Sequence, residues 1–537
     1  MEPLTESYLA GPSDGEIEEI TVGAALRRAA AQWPDKTAFV EADADGALGR
    51  NLTYAQLLAD AERLALALLT RYAPGERICV WAPNSLEWVL LEFAAGLAGL
   101  TLVTANPAYR PRELKFVLEQ SHSVGLFLVR AYRGSPMADI AAEVAAEVAD
   151  LREVVDVTDA AALFRRGAHE RPLPHVRPND PAQIQYTSGT TGFPKGAVLH
   201  HRGILNNARI TLFQAGVGVG DTVMNYMPMF HTSGCGLLTL GTIQFGCRTI
   251  VCSLFNPPVI LGLMERERVD MSGGVPTMLI ALLEAQAAQP RDLSSIKVMF
   301  TGGAMVAPET VRQITSVFGC AFSTVFGQTE SSPVVTQTLP TDTPEDASET
   351  VGRPMPHTEI SIRDASANAV VGIGRVGEIC ARGYCVMLGY NDNAEANAKA
   401  IDADGWLHTG DLGTMDARGY VRVTGRVKEM IIRGGENLFP AEIENILLEH
   451  PEVAEVAVVG VPDVHWGETV ACFVRLAAGA DLDVASLRAH CRANLAPQKT
   501  PAHWIAMTEW PLTGSGKIQK FVLRDRFVAG EFEPTTA

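Results

Sequence analysis

Residues 186–196 read Tyr-Thr-Ser-Gly-Thr-Thr-Gly-Phe-Pro-Lys-Gly and follow directly on the short apolar pattern Ile184-Gln185-Tyr186. A segment this rich in hydroxyls and glycines, carrying one cation, has the composition that a polyphosphate requires. Gly189 and Gly192 let backbone N–H groups approach phosphate oxygens with no Cβ in the way, Thr187, Ser188, Thr190 and Thr191 add donors, and Lys195 adds charge. The pattern is not that of the P-loop, which needs Gly-x-x-x-x-Gly-Lys-Ser/Thr; here Phe193-Pro194 separate Gly192 from Lys195, and Gly196 follows the lysine. A nucleotide cradle is the chemical reading of this loop, and a plain Ser/Thr/Gly/Pro surface turn is the alternative.

The rest of the composition narrows the field. At 537 residues the chain exceeds the size at which one core stops growing, so two or more domains are expected. With 47% hydrophobic and 20% charged residues it has the make-up of a globular protein. An excess of 62 acidic over 44 basic residues, a formal charge of −18, argues against a nucleic-acid partner and against adhesion to anionic lipid. A polyanionic ligand must therefore be held by local cations and backbone donors. The acidic start Met1-Glu2-Pro3-Leu4-Thr5-Glu6 lacks the features of a signal or transit peptide and points to the cytoplasm. The longest apolar stretch, Trp88 to Ala105, contains Glu92 and two glycines and ends at Asn106-Pro107, which predicts a buried helix running into a strand and no transmembrane segment. Nine cysteines without a Cys-x-x-Cys pair read as buried thiols, against a zinc site or a disulfide framework.

Helical and strand patterns alternate over much of the chain. Helical spacing at Ala24–Gln32, Tyr54–Thr70 and Glu113–Gln120 brackets strand-length runs at Ile78–Ala82 and Gly125–Val129, and a second such block covers residues 221–326. This predicts an α/β fold with layered, largely parallel sheets. From Glu359 to Arg382 and at Gly419–Thr424 short alternating runs with Gly turns predict a small antiparallel, barrel-like unit, and Met137–Ala149 reads as an exposed helix. After Lys428 the pattern becomes that of a compact α+β unit, with helices at Pro440–Glu449 and Val484–Asn494 and strands at Val453–Val459 and Thr469–Leu476. The expected domains are thus 1–427 and 428–537.

Further segments acquire meaning beside the opening loop. Thr301-Gly302-Gly303-Ala304 ends a predicted strand, where glycines admit a flat ligand such as adenine. Val325-Phe326-Gly327-Gln328-Thr329-Glu330 places a hydroxyl beside a carboxylate, a pair suited to a phosphate oxygen and its Mg²⁺; a solvated helix start is the alternative. Asp411 in Thr409-Gly410-Asp411-Leu412 could accept from both ribose hydroxyls, or be an ordinary turn residue. Gly425-Arg426-Val427-Lys428-Glu429 leads into Arg433-Gly434-Gly435, and Thr513-Gly514-Ser515-Gly516-Lys517-Ile518 presents a lysine after two glycines.

The order and spacing of these segments together resemble the ANL superfamily of adenylate-forming enzymes: acyl-CoA synthetases, non-ribosomal peptide synthetase adenylation domains and luciferases. The resemblance runs from about Ile20 to Arg524. It implies that a carboxylate attacks the α-phosphate of MgATP to give acyl-AMP and pyrophosphate, and that the thiol of coenzyme A then displaces AMP. It implies that Thr187 to Lys195 hold the β- and γ-phosphates, Thr329 contacts the α-phosphate and Glu330 binds Mg²⁺. Asp411 and Arg426 would take the ribose, with Gly303, Ala304 and Ser323, Thr324, Val325, Phe326 and Gly327 around adenine. Lys517 would serve the α-phosphate and substrate carboxylate during adenylation. Lys428 matches the hinge about which the C-terminal domain rotates in similar enzymes, bringing Arg433, Gly434 and Gly435 to face coenzyme A.

The acid is addressed by Phe230-His231-Thr232-Ser233-Gly234. Amino-acid-activating relatives carry Asp after the Phe, so His231 argues against a free amino acid and for a role near the carboxylate or as a gate. Phe230, Ser233, Gly234, Leu237, Met305, Gly327, Pro333 and Val334 suggest an open apolar channel, and the stretch from Gly327 through His357 also resembles medium-chain fatty acyl-CoA synthetases. A medium- to long-chain fatty acid is therefore expected. Aryl-acid ligases share most of this stretch, and an enzyme passing the acyl group to an amine or a carrier protein would use the same machinery. A luciferase-like oxygenase is a weaker reading, since the terminal Pro534-Thr535-Thr536-Ala537 lacks the Ser-Lys-Leu address common in such enzymes, and a non-catalytic binding protein is weaker still, since the motif lysines and carboxylates are all present. The resemblance leaves room for a homodimer.

Overall fold

The computed structural model describes residues 3–187, 194–303, 306, 308–434, 436–477, 479–513 and 517–536. Among the described residues four sheets organise the chain. The first, of seven strands, is parallel through Pro181–Thr187, Thr101–Thr104, Arg77–Trp81, Ser123–Leu128 and Glu153–Asp156. The second, of nine strands, is parallel from Ala321–Gly327 to Thr37–Ala42 and antiparallel at both edges.

The helices Val22–Gln32, Tyr54–Leu69 and Leu86–Ala98 lie between these sheets, and one core unites Phe39 and Val251 of the nine-stranded sheet with Ile78, Val80 and Leu102 of the seven-stranded one. Because Leu86–Ala98 faces packed neighbours all round, it is apolar all round; Trp88, Leu91 and Phe93 are fully buried, at about 1.5–3 kcal/mol each. Gly99, at φ 63°, caps that helix and turns the chain into the strand Thr101–Thr104, the buried helix-to-strand passage expected from the apolar run. Among the described residues no helix is long and apolar enough to cross a membrane.

The third sheet is antiparallel, Tyr8–Ala10, Thr358–Arg363, Gly377–Gly383, Leu407–Met415 and Val421–Arg426 in that order. It curls until Leu9 in one edge strand packs on Gly419 beside the other, giving the barrel-like unit. The fourth sheet is built from Ile431–Arg433, Glu436–Leu438, Val453–Asp463, Gly467–Leu476, His503–Ala506 and Thr535–Thr536, with the helices Pro440–Leu448 and Val484–Asn494 beside it.

One expectation needs correction. The helix Met137–Ala145 is not simply exposed: Met137, Ile140, Ala141 and Val144, at helical spacing, are buried against the outer face of the seven-stranded sheet. The strands Pro181–Thr187 and Lys195–His200, which flank the hydroxyl- and glycine-rich segment, pair as an antiparallel hairpin at one side of the parallel strands. All nine cysteines are buried free thiols.

Candidate active site

Residues from all four sheets converge at the carboxyl ends of the parallel strands, where open α/β sheets bind ligands. The hairpin register sets Thr187 opposite Lys195, so both flank the loop between them. Ser188, Gly189, Thr190, Thr191 and Gly192 lie outside the described residues, as do Ala304, Met305 and Gly435. The Lys195 ammonium sits 4.8 Å from the centroid of the Tyr390 ring.

From the nine-stranded sheet, Val298–Gly302 and Ala321–Gly327 run side by side to the site. Gly303 follows the first at φ 80°, and a Cβ there would stand 3.1 Å from Lys517 Cε. Glycine is thus required both by the backbone and by the approach of a side chain from the far end of the chain. On the second strand, Ser323 and Thr324 turn inward: the hydroxyls donate to Thr338 O at 2.7 Å and Ala347 O at 3.0 Å. Their side chains belong to the core, and of the expected adenine-contacting strand the half-buried Val325, Phe326 and Gly327 are left to meet a ligand. Thr329–Ser331 forms a single 3₁₀ turn in which Thr329 and Glu330 are each 7% exposed, unlike a solvated helix start. Glu330 is fixed twice, its carbonyl accepting from Met387 N–H at 2.8 Å and its Oε1 from the Tyr390 hydroxyl at 2.6 Å.

The antiparallel sheet supplies Asp411 and Arg426 as a cross-strand pair, Nε to Oδ1 2.9 Å. Burial raises the Asp411 carboxyl more than Arg426 lowers it, while the same carboxylate raises the guanidinium and keeps it charged. The turn before Asp411 is held by Glu378, whose Oε1 accepts from Gly410 N–H at 2.9 Å and whose Oε2 meets His408 Nδ1 at 2.8 Å. Cys380 Sγ lies 3.5 Å from the same His408 nitrogen. At 2.8 Å the carboxylate and imidazole form a hydrogen bond, so this trio braces the Thr-Gly-Asp turn.

The C-terminal unit sends in Lys517. Thr513 and Lys517 clamp the ends of the Gly-Ser-Gly segment, Thr513 N–H donating to Lys517 O at 2.7 Å and Lys517 N–H to Thr513 Oγ1 at 3.0 Å. Burial and Arg426 lower the Lys517 ammonium to about 8, against the pull of Asp411 and Glu330. His231, at the head of the turn Thr232–Gly234, is lowered to about 3 by burial and by Lys517. It is neutral at physiological pH and can offer a substrate carboxylate an N–H but no charge. Lys428 is lowered by burial and by Lys195, Arg426 and Lys399. Lys195, Arg426, Lys428 and Lys517 thus lie close enough to feel one another's charge, a grouping suited to a polyanion.

The expected acyl channel is only partly assembled. His231 Nδ1 lies 3.0 Å from Ser233 Oγ, opening a π-helical stretch, Ser233–Thr239, whose Leu237 N–H reaches back to Thr232 O at 2.7 Å. A Cβ on Gly234 would strike Pro228 O at 2.4 Å, so the glycine there serves backbone packing. Leu237 is absorbed into the core of the nine-stranded sheet and Val334 into that of the antiparallel unit, which leaves Phe230, Ser233, Gly327 and Pro333 as the half-buried members among the described residues. Behind the π-helix a buried polar chain runs from Glu92 Oε1 through Gln183, 2.6 Å, to Gln185, 2.6 Å, and Cys235, 3.1 Å. Gly327 approaches Pro333 O so closely that a Cβ would lie 2.0 Å away. Arg433 is engaged by two turns that flank its sheet, with Gln498 O at 2.7 Å and over the Trp466 ring at 5.1 Å, and Gly434 at φ 60° packs on the same indole. A separate cavity of about 410 Å³, bordered by Arg77, Thr101, Pro181 and Asn391, lies at the amino ends of the parallel strands, away from these charges.

Residues 26–391 match the AMP-binding enzyme family and residues 442–517 the AMP-binding enzyme C-terminal domain. The chain belongs to the AMP-binding enzyme family. It is 36% identical to the putative acyl-CoA synthetase YngI of Bacillus subtilis over 96% of this chain and 98% of that one. It is 35% identical to the human mitochondrial medium-chain acyl-CoA ligase ACSF2, over 97% and 89% respectively. Among solved structures, the o-succinylbenzoate CoA synthetase MenE of Bacillus subtilis, in complex with its acyl-adenylate, superposes with a TM-score of 0.82 at 27% identity, covering 95% of this chain and 98% of that one. Like these ANL-superfamily relatives, this AMP-binding enzyme is an ATP-using, AMP-forming acid–thiol ligase that works through an acyl-adenylate, with a large N-terminal and a small C-terminal domain.

Tyr390 and the pair Glu378 and His408 were not foreseen from the sequence. Each supports another residue and carries no motif chemistry of its own; the Gly389-Tyr390 pair was the available signal for the first.

Proposed function

We propose that the enzyme activates a medium- to long-chain fatty acid as acyl-AMP and transfers it to coenzyme A. The observation that supports this most is the convergence of Lys517, Arg426, Lys195 and Lys428 beside a neutral His231. Joining a carboxylate to the α-phosphate brings two anions together, and cations fixed before the reaction lower that cost without reorganising. Lys195 and the loop from Thr187 hold the β- and γ-phosphates, Arg426 and Asp411 the ribose, and Lys517 the α-phosphate and carboxylate oxygens. His231 Nε2 orients the carboxylate. The buried oxygens of Glu330 fit a hard divalent ion, and Thr329 lies next to it; Mg²⁺ bound there supplies charge neutralisation for the departing pyrophosphate.

A thiol cannot reach the carbonyl while Lys517 lies against Gly303. The C-terminal unit, residues 428–537, therefore rotates about Lys428, withdrawing Lys517 and presenting Arg433-Gly434-Gly435 to coenzyme A. Exposed Ile432 and Trp466 beside Gly434 give that face apolar surface to bury. The half-buried Phe230, Ser233 and Pro333 provide little to bind a polar acid, and the likeness to a medium-chain acyl-CoA ligase points the same way.

An ATP–pyrophosphate exchange screen from acetate to palmitate, with benzoate and cinnamate, tests the acid. Exchange is expected to peak among straight-chain acids of hexanoate and longer; a peak at benzoate or cinnamate makes this an aryl-acid ligase. Offering the resulting acyl-AMP coenzyme A, an amine and a carrier protein tests the acceptor, and preferential loss of acyl-AMP to either of the latter overturns the thioester reading.

A further inference from the structure

Tyr390 lies outside every motif that identifies the nucleotide site, yet it touches two of that site's charged groups at once. Its hydroxyl donates to Glu330 Oε1 at 2.6 Å, and its ring face carries the Lys195 ammonium 4.8 Å from the centroid. Its backbone is pinned on both sides, N–H to Asn397 Oδ1 at 2.5 Å and C=O from Asn397 Nδ2 at 3.1 Å. The short strand Gly389–Tyr390 pairs with Ala197 and Val198, just past Lys195, and Leu388 and Asn391 N–H groups donate to Val198 O and Gly196 O. Two residues before that, Met387 N–H binds the carbonyl of Glu330 itself. One five-residue segment is thus laced to the return strand of the phosphate loop and to the turn that bears Glu330.

We propose that Tyr390 is a positioning residue that couples the two halves of the MgATP site, aiming the Glu330 carboxylate at the metal ion and parking the Lys195 ammonium until phosphate arrives. This rests on the reading of Glu330 as the Mg²⁺ ligand. A carboxylate held through one oxygen by a neutral donor keeps its charge and offers lone pairs on the other oxygen to a cation. A lysine over an aromatic face is held weakly enough to leave for a phosphate, to which it binds more strongly.

The test measures ATP affinity by calorimetry, without acid substrate, in EDTA and at saturating Mg²⁺, for the parent enzyme and for Y390F, Y390L and E330Q. In Y390F the ring survives and the hydroxyl is lost: the tightening of ATP by Mg²⁺ should shrink about tenfold, with affinity in EDTA within about twofold of the parent. Y390L loses the ring face as well and should change ATP affinity in EDTA about threefold or more. Y390F with the full Mg²⁺ gain, while E330Q lacks it, sinks the proposal. E330Q with the full Mg²⁺ gain sinks the assignment of Glu330 instead. Equal EDTA affinities for Y390F and Y390L refute the Lys195 half. Melting curves of all four proteins show that each is folded when compared.

Discussion

Lys517→Ala is the perturbation that separates the two half-reactions. In this structure the Lys517 ammonium abuts Gly303 and is lowered from 10.5 to about 8 by burial and Arg426, a difference that corresponds to roughly 3 kcal/mol against the charged form. That cost stands while the phosphate region is empty and is offset when an α-phosphate and a carboxylate share the site. Removing one preorganised donor to developing negative charge costs about 10²–10³ in rate, so Lys517→Ala should lose that much in acyl-AMP formation. Thioester formation from supplied acyl-AMP and coenzyme A should fall less than about threefold, because the rotated C-terminal unit has withdrawn the side chain by then.

The pH profile gives a second reading of the same group. As a base with a lowered value, Lys517 is charged below about pH 8 and loses its charge above it. In free enzyme, kcat/KM for adenylation should therefore fall about tenfold per pH unit above that point, and the descending limb should be missing from Lys517→Ala and from the thioester step. Stopped-flow measurement of pyrophosphate release and of thioester formation, each over about two pH units on either side of the Lys517 value near 8, decides the matter. Equal losses in both half-reactions, or a limb near pH 8 that persists in the variant, would refute the reasoning.

Two further outcomes follow from neighbouring residues. Gly303→Ala introduces a Cβ at φ 80° and 3.1 Å from Lys517 Cε, so it should cost about 1–2 kcal/mol in denaturant titration and slow adenylation about tenfold, with thioester formation from acyl-AMP much less affected. Glu92 is 3% exposed and burial holds its carboxyl well above the usual range, so the folded state binds a proton that the unfolded state has released. Stability is therefore lost as pH rises above the unfolded value. Glu92→Gln removes this loss, and its gain in stability over the parent should be larger at pH 8 than at pH 5, by on the order of 1 kcal/mol; a gain independent of pH would mean that Glu92 is ionised in the fold.

The class of fold was legible because its signals are local. The helix Val484–Asn494 is bounded as its apolar spacing dictates, and the run Trp88–Ala105 declared a buried helix and strand through its length, its glycines and its lone glutamate. Where packing overrides pattern the sequence was silent: Ala-rich Met137–Ala145 buries one face, and Ser323, Thr324, Leu237 and Val334 pack into the cores of sheets that no stretch of sequence announces.

The sequence by itself determined the chemistry available: a hydroxyl- and glycine-rich loop with Lys195, a Thr-Glu pair, an Asp, an Arg and a late lysine, in an order that names an adenylate-forming enzyme. Tertiary structure alone decided which of these meet. It set Lys517 against Gly303 and Arg426, made His231 neutral by burying it beside that lysine, paired Asp411 with Arg426 across two strands, and put Tyr390 between Lys195 and Glu330. The physical reason is range: spacing along the chain governs residues a few positions apart, whereas burial and Coulomb interactions act through space between groups that sequence separates by hundreds of positions.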